Sequence, residues 1–363
     1  MADRVTIQDI ADALGLSRNT VSKAINNTGI LADSTREKVL QKAVEIGYKQ
    51  FTYMNISDLN ITDSVAQSSP VSSTPVEKDK GEIALFTGAK LGNSHFASTM
   101  LDKFQREISY LGYTLTIHRV TREERHSLSL PRSFRPERTA GIMCIEMFNY
   151  EYDQMICSLG IPLLFVDTPV LDGRMLKADR LYMDNRNEIF SFVREMVNRG
   201  KTKFGFIGEY RHCQSFFERY MAYREALFLN HLPCPDSYSF LENKPGVESP
   251  TSTDYQDYLV EQIRNTKDLP EVFIIANDFV AMDVLQAFRK LGISVPEDVL
   301  LCGFDDSPES RIVTPPLTSI HIHSEIIGFS AVQLLISRIK EPQLNYRTVY
   351  TETNIKYRES TGD

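Results

Sequence analysis

The sequence predicts two fold classes in one chain: a small all-α head carrying a helix-turn-helix, then an α/β region whose parallel sheets form two Rossmann-like lobes. Three observations carry this expectation. Between residues 6 and 47 apolar residues recur at helical spacing between start and stop signals. From Phe51 to Gly81 the composition turns to that of a linker. From Glu82 onward short apolar runs alternate with longer amphipathic stretches, the pattern of β-α units around a parallel sheet.

In the head, Thr6 stands three residues before Asp9 as a near capping box, and Ile7, Ile10, Ala11 and Leu14 follow on one face. Gly15 breaks the pattern. Ser17 caps a second helix that runs through Ile25 with Val21, Ala24 and Ile25 inside, and Ser34 with Glu37 opens a third that ends at Gly47. Residues 51–81 hold nine Ser or Thr and two Pro. Residues 62–80 are therefore expected to be disordered. Strands are expected at 83–87, 114–120, 141–145, 163–166, 203–207, 272–276 and 299–304, with helices such as Phe96 to Leu111, Glu188 to Arg199 and Phe279 to Leu291 between them. Residues 82–363 are long for one doubly wound sheet, so two lobes with a cleft are favoured, with ligands beyond the carboxyl ends of the strands.

Composition narrows the function classes. No run of about 18 apolar residues suggests a membrane span, and Asp3, Asp9 and Asp12 interrupt any leader-like stretch. The five cysteines are odd in number, widely spaced and never CxxC, which argues against a disulfide framework or a zinc site and suits a reducing cytoplasm. The net charge of -8 weighs against a nucleic-acid binder. Residues 1–50, however, carry seven basic against six acidic residues, so the deficit lies in the remainder of the chain. No GxSxG, P-loop, HExxH or GxGxxG signature is present, so no enzyme or cofactor is expected.

A helix, a glycine turn and a second helix within about 20 residues is the geometry that seats the second helix in the DNA major groove. The exposed positions there are Arg18, Asn19, Ser22 and Lys23. Arg or Lys can meet guanine O6 and N7, and Asn can pair with adenine N6 and N7. Spacing alone fits a polar helical bundle equally well.

The residues themselves are more specific. TIQDIADALGLSRNTVSKAINNTGILADSTREKVLQKAVEIGYK resembles the headpiece of the LacI/GalR (lactose repressor, galactose repressor) family. Similarity continues in GIPLLFVD at 160–167, MDN at 183–185, SFFERYMAYREAL at 215–227, IIANDFVAMDVLQAFRKLGISVPEDVLLCGFDD at 274–306 and TPPLTSIH at 314–321. The resemblance implies a periplasmic-binding-protein-like second domain that dimerises and takes a small effector, by default a sugar, in its cleft. It implies a repressor that binds double-stranded operator DNA as a homodimer. Arg18 and Asn19 then occupy the base-reading positions, Lys23 the basic position one turn later, and Thr6, Ser17, Thr20, Ser22 and Asn26 the positions that set the head on phosphates. The implied division is residues 1–50 head, 51–81 linker, and 82–363 effector-binding and dimerisation domain.

For the effector, Arg219 matches the cleft arginine of an S-x-x-x-R motif and Asp278 the acid of an ND motif, although a surface arginine and a helix cap are the bland alternatives. Ser94 and Phe96 follow the first strand, where a polar residue and an aromatic would meet ligand; Phe96 fits the core as well. Asp305 belongs with Asp306 to the GFDD turn at the cleft edge. His321 and His323 would share a face of a strand, but without further ligand spacing no metal is expected. The linker departs from the family: GYK leads into QFTYMNISDLNITDSV, without the Pro, the Ala-Arg pair or a Leu at the matching position, Leu59 being the nearest. A hinge helix is therefore not expected. The remaining alternatives are a solute-binding protein with no operator role, and an enzyme on the same scaffold.

Overall fold

The computed structural model describes residues 6–25, 35, 38–39, 42–43, 46, 80–88, 95–242 and 252–363, with the backbone alone for Ile25, His95 and Phe96. Two units divide the chain, Met1–Thr74 and Pro75–Asp363.

The smaller unit holds α1 (Ile7–Leu14) and α2 (Arg18–Ile25). The capping box at the start of α1 is complete: the Asp9 amide donates to Thr6 Oγ1, and the Thr6 amide and hydroxyl both donate to Asp9 Oδ2 at 2.7 Å. These bonds hold the Asp9 carboxyl below its ordinary range. Gly15 ends α1 at φ 62, a left-handed turn that glycine adopts without penalty. Ile10 and Ala11 then bury against Val21 and Ala24 of α2, with Val39 and Ala43 completing this core. Of the third expected helix, residues 35, 38–39 and 42–43 are helical. Ile46 is in a turn, and the other positions of that helix, Asn26, Leu59 and the linker from 51 to 79 lie outside the described residues.

The larger unit contains two sheets. The first has six parallel strands in the order β10-β5-β4-β3-β1-β2. These are β1 (Glu82–Thr87), β2 (Thr114–Arg119), β3 (Thr139–Ile145), β4 (Leu163–Val166), β5 (Asp179–Met183) and β10 (Thr348–Thr351). The second has five in the order β11-β9-β8-β7-β6: β6 (Phe204–Ile207), β7 (Val272–Ile275), β8 (Leu300–Asp305), β9 (Thr318–Ile322) and β11 (Thr353–Lys356). The helices used below are α3 (His95–Tyr110), α4 (Tyr150–Cys157), α5 (Asn187–Asn198), α6 (Gln214–Leu229), α7 (Thr253–Asn265), α8 (Asp278–Leu291) and α9 (Ser324–Lys340). Each helix that covers a sheet does so with an apolar stripe; α5 buries Ile189, Phe192, Val193 and Met196. Such side chains contribute about 1.5 to 3 kcal/mol each.

All seven expected strands form, with ends displaced by at most two residues. Lys80, expected to be disordered, is instead pinned to the first sheet, its amide donating to Gly112 O at 3.1 Å. Strands β5, β9, β10 and β11 were not among those expected. β5 opens on Asp179-Arg180, which reads as loop. Asp179 is nevertheless fully buried, gripped by Arg338 of α9 (2.9 and 3.1 Å) and by the amide and guanidinium of Arg347 (2.7 and 2.8 Å). Burial pushes this carboxyl up, but the two arginines outweigh it and leave it below the ordinary range.

The chain passes between the lobes at 184–186, at His323 and at Glu352. The third passage accounts for the antiparallel pairing of β11 with β9. A single residue separates β10 from β11, so the chain runs straight from one sheet into the other. It leaves the first sheet at the carboxyl ends of its strands and enters the second also at carboxyl ends. It must therefore run against them. The two sets of carboxyl ends consequently face one another across the cleft.

A buried acid in the first lobe yields a prediction. Asp153 on α4 is fully buried, and neither carboxylate oxygen meets a hydrogen-bond donor among the described residues. Burial, with a contribution from Glu151, pushes its carboxyl up to about 8. The native state therefore holds a proton that the unfolded chain releases near pH 4, so stability is highest below that pH and falls as pH rises towards about 8. In Asp153→Asn this component of the pH dependence should vanish. Melting temperatures at pH 5 and pH 8 should lie closer together than in the unaltered protein; an unchanged gap would refute the assignment.

Candidate functional site

Two regions gather the residues singled out from sequence. The first is the start of α2. Ser17 Oγ accepts the Thr20 amide at 3.1 Å and lies 2.8 Å from Thr20 Oγ1, so the helix begins capped and held. With Val21 and Ala24 turned into the core, Arg18, Asn19 and Lys23 are exposed, and Ser22 and Thr20 are half-buried beside them. Arginine and asparagine on successive positions at an open helix N-terminus offer forked donors and a paired donor and acceptor. Thr6 is exposed, its hydroxyl bound to Asp9. Asn26 lies outside the described residues.

The second is the cleft. Arg219 projects from α6 and is almost fully buried. Its Nε donates to Asn185 Oδ1 at 2.9 Å and its Nη1 to the Ala276 carbonyl at 2.6 Å, with Asp305 Oδ1 3.7 Å away. The guanidinium lies 3.5 Å from the Phe304 ring centroid. Asn185 sits on the first passage between lobes and donates onward to Glu218 at 2.9 Å. Burial lowers the Arg219 pKa, and Asp305 foremost opposes this.

Asp305 ends β8 at φ 109 and is half-buried. Burial raises its carboxyl to about 6; Arg219 pulls it down and Glu146 adds to the rise. Asp278, at the first turn of α8, is sealed. Its oxygens accept the Ser307 amide and the Ser319 hydroxyl, both at 2.7 Å, and burial pushes it up to about 7. It clamps the turn after β8 to β9. Asp306 is not paired with Asp305 at all: it binds Arg311 and Arg358, and His321 Nδ1 at 3.0 Å. His321 and His323 pack edge to face at 4.8 Å. Among the described residues no group of three or more His, Cys, Asp or Glu could hold a metal ion. Ser94 and the Phe96 side chain lie outside the described residues.

Several cleft residues were not foreseen. Glu146 follows β3 and Asp167 follows β4, both with left-handed backbone, φ 51 and 63. Asp167 Oδ1 accepts the Thr168 and Ser215 amides, at 2.8 and 3.2 Å, and so reaches across to α6. Burial raises both carboxyls, and the charge of Asp167 adds to the rise at Glu146. At the rim, Phe148 of the first lobe meets His212 of the second at 5.1 Å, and His212 meets Phe216 at 5.2 Å. Their common signal was available: each acid directly follows the last apolar residue of a strand, where ligands of parallel sheets bind.

Comparison with known proteins places this geometry. Residues 6–50 match the family model described as bacterial regulatory proteins, lacI family, and residues 193–361 match a periplasmic binding protein-like domain. The chain is 24% identical over 360 residues to the HTH-type transcriptional regulator GalR of Lacticaseibacillus casei, covering 98% of this chain and 99% of that protein. It is 22% identical over 344 residues to the HTH-type transcriptional repressor PurR of Vibrio vulnificus, covering 94% of each. Among solved structures it is similar to a complex of the transcriptional regulator CelR with cellobiose (TM-score 0.66, 21% identity, 98% of this chain and 100% of that one). It is also similar to the lac repressor dimer bound to operator and the anti-inducer ONPF (TM-score 0.63, 18% identity, 99% of each chain).

The Asp278 clamp is tight enough to test. A Cβ on Gly303 would stand 2.2 Å from Asp278 Oδ1 and 2.8 Å from Leu317 Cδ2. Gly303→Ala should destabilise the larger unit by about 1 to 3 kcal/mol, as overpacking does. Chemical denaturation measures this, and an unchanged midpoint would show that the clamp has slack.

Proposed function

Because the chain belongs to the LacI/GalR family of DNA-binding transcriptional regulators, we propose that its head reads operator DNA under the control of a small effector held in the cleft. The observation that carries this reading is the presence in one chain of an exposed Arg18 and Asn19 at a helix N-terminus and a cleft floored by Arg219 and Asp305. The protein acts as a homodimeric repressor, each head taking one half-site of a pseudo-palindromic operator. Residues 1–50 form the DNA-binding domain, 51–81 the tether and 82–363 the effector-binding and dimerisation domain. Its place of work is the cytoplasm, with the DNA, and we assign it no catalytic step.

Arg18 and Asn19 read bases, Lys23 supplies a charge one turn later, and Thr6, Ser17, Thr20, Ser22 and Asn26 set the head on phosphates. In the cleft, Arg219 and the neighbouring Asp305 orient the effector together, a fork and a carboxylate grasping neighbouring hydroxyls. Asp278 acts on the effector only by positioning the Asp305 turn. A sugar is the proposed class, since the CelR relative holds cellobiose. The alternative, a sugar-binding protein without an operator, separates cleanly. Full-length protein should form a sequence-specific complex with some genomic fragment, with or without added metabolites, and absence of any such complex would favour the alternative.

Two substitutions divide the roles. Arg18→Ala should weaken operator binding by about 1 to 3 kcal/mol while relaxing preference at one or two base pairs. Equal losses on specific and random DNA, by competition gel shift, would refute base reading. Arg219→Lys keeps the charge but cannot reach Asn185 and Ala276 together while presenting a fork. It should blunt the effector response and leave operator affinity intact. A full effector response in this variant would place the ligand elsewhere.

A further inference from the structure

We propose that Glu218 is a positioning residue of the effector site: it fixes the one orientation of the Asn185 amide that holds Arg219, and it ties that arginine to the first lobe through Tyr350. This rests on the reading of Arg219 as an effector group and adds what sets its aim. The backbone of Asn185 is held from both sides. The Asp184 amide donates to Thr351 O at 2.7 Å, and Asp184 Oδ1 accepts the Arg186 and Asn187 amides at 2.8 and 3.1 Å. What remains free is the Asn185 side-chain amide, which is almost fully buried and has two ways round.

Its two neighbours decide between them. Arg219 Nε–H can only donate, and a carboxylate can only accept. Asn185 therefore turns Oδ1 to Arg219 Nε and gives an Nδ2 hydrogen to Glu218 Oε2, both at 2.9 Å. Flipped, the amide would set N–H against N–H at the arginine and oxygen against oxygen at the acid. With Nε held in this way and Nη1 on the Ala276 carbonyl, the guanidinium plane is fixed. Nη2 makes no hydrogen bond among the described residues and is the nitrogen left for the effector.

The second carboxylate oxygen faces the other lobe. Glu218 Oε1 accepts the Tyr350 hydroxyl at 3.0 Å and Gln214 Nε2 at 3.1 Å, and Gln214 Oε1 accepts the Leu171 amide at 3.3 Å. Tyr350 and Leu171 belong to the first lobe, whereas Gln214 and Glu218 stand one turn apart on α6 of the second. The Tyr350 ring is stacked on Tyr182, its partner across β10 and β5, with centroids 5.3 Å apart. Its hydroxyl therefore moves with the first sheet. One carboxylate joins the support of the arginine to that sheet, so a movement of the lobes about their joint pulls on the Asn185 bond.

The test needs no effector. The Arg219 Nε–H proton is followed by NMR in the full chain carrying isotope-labelled arginine, its signal identified by its loss in Arg219→Lys. In Glu218→Leu the Asn185 amide has no acceptor, and solvent exchange of that proton should quicken about ten-fold, the factor one hydrogen bond is worth. Glu218→Gln should restore slow exchange, because its amide oxygen can take the Asn185 hydrogen and its NH2 can donate to Tyr350. Tyr350→Phe keeps the ring stack and should give an acceleration between the two. Backbone amides of β7 report general loosening and should keep their protection throughout. An Arg219 proton unmoved by Glu218→Leu, or one that quickens only in step with β7, overturns the inference. So does Glu218→Gln behaving like Glu218→Leu, since charge and not orientation would then be the cause. No change in Tyr350→Phe overturns the link to the first lobe. Failure of the effector reading would look different: these changes in exchange would all stand, yet ligand responses would survive Arg219→Lys undiminished.

Discussion

A buried guanidinium organises the larger unit. Arg219 stands where α6, the first passage between lobes and the carboxyl ends of β7 and β8 converge, and it bonds to a group on nearly all of them. Removing a charge from water costs several kcal/mol even after relaxation. The site compensates with a side-chain amide, a backbone carbonyl, a carboxylate and an aromatic face, and those partners must keep their places for the charge to be tolerated. The Asn185 contact links this hub to Glu218, which in turn accepts from Gln214 and Tyr350. A ligand that touches Arg219 therefore touches the passage between lobes.

That passage is the mechanical element. The first and third crossings are bound to one another: the Asp184 amide donates to Thr351 O at 2.7 Å, and Thr353 Oγ1 to Asp184 O at 2.9 Å. Short segments at the joint between two rigid lobes are where a hinge absorbs its change in backbone angle. Asp179, held by Arg338 and Arg347, anchors β10 to β5 on one side of the joint. Asp306, held by Arg311, His321 and Arg358, does the same on the other. Both acids lie below their ordinary range despite burial, because their partners are cationic. Glu146, Asp167 and Asp305 lie above theirs because burial dominates, and at Asp167 and Asp305 it outweighs the pull of Arg219.

The head and the order of the β-α units were legible in the sequence because their signals are local. The Thr6 and Asp9 capping box, the Gly15 turn and the alternation of apolar runs each depend on residues a few positions apart. Arg219 and Asp305 were legible through motif context, and burial has since removed the surface-residue alternative for Arg219. β5 was not legible, since Asp179 looks like loop until Arg338, 159 positions away, neutralises it.

The sequence by itself determined the two helices of the head, seven of the strands and the helices between them, where the glycine turn falls, and which side chains α2 leaves outside. Only the tertiary structure decided that Asp278 is sealed while Glu146, Asp167 and Asp305 stand at the carboxyl ends of their strands, and that β11 runs against its sheet. The reason is the single residue between β10 and β11. With no length in which to turn, the chain carries its direction from one lobe into the next, sets strand ends against strand ends, and brings together acids that the sequence keeps 159 positions apart, from Glu146 to Asp305.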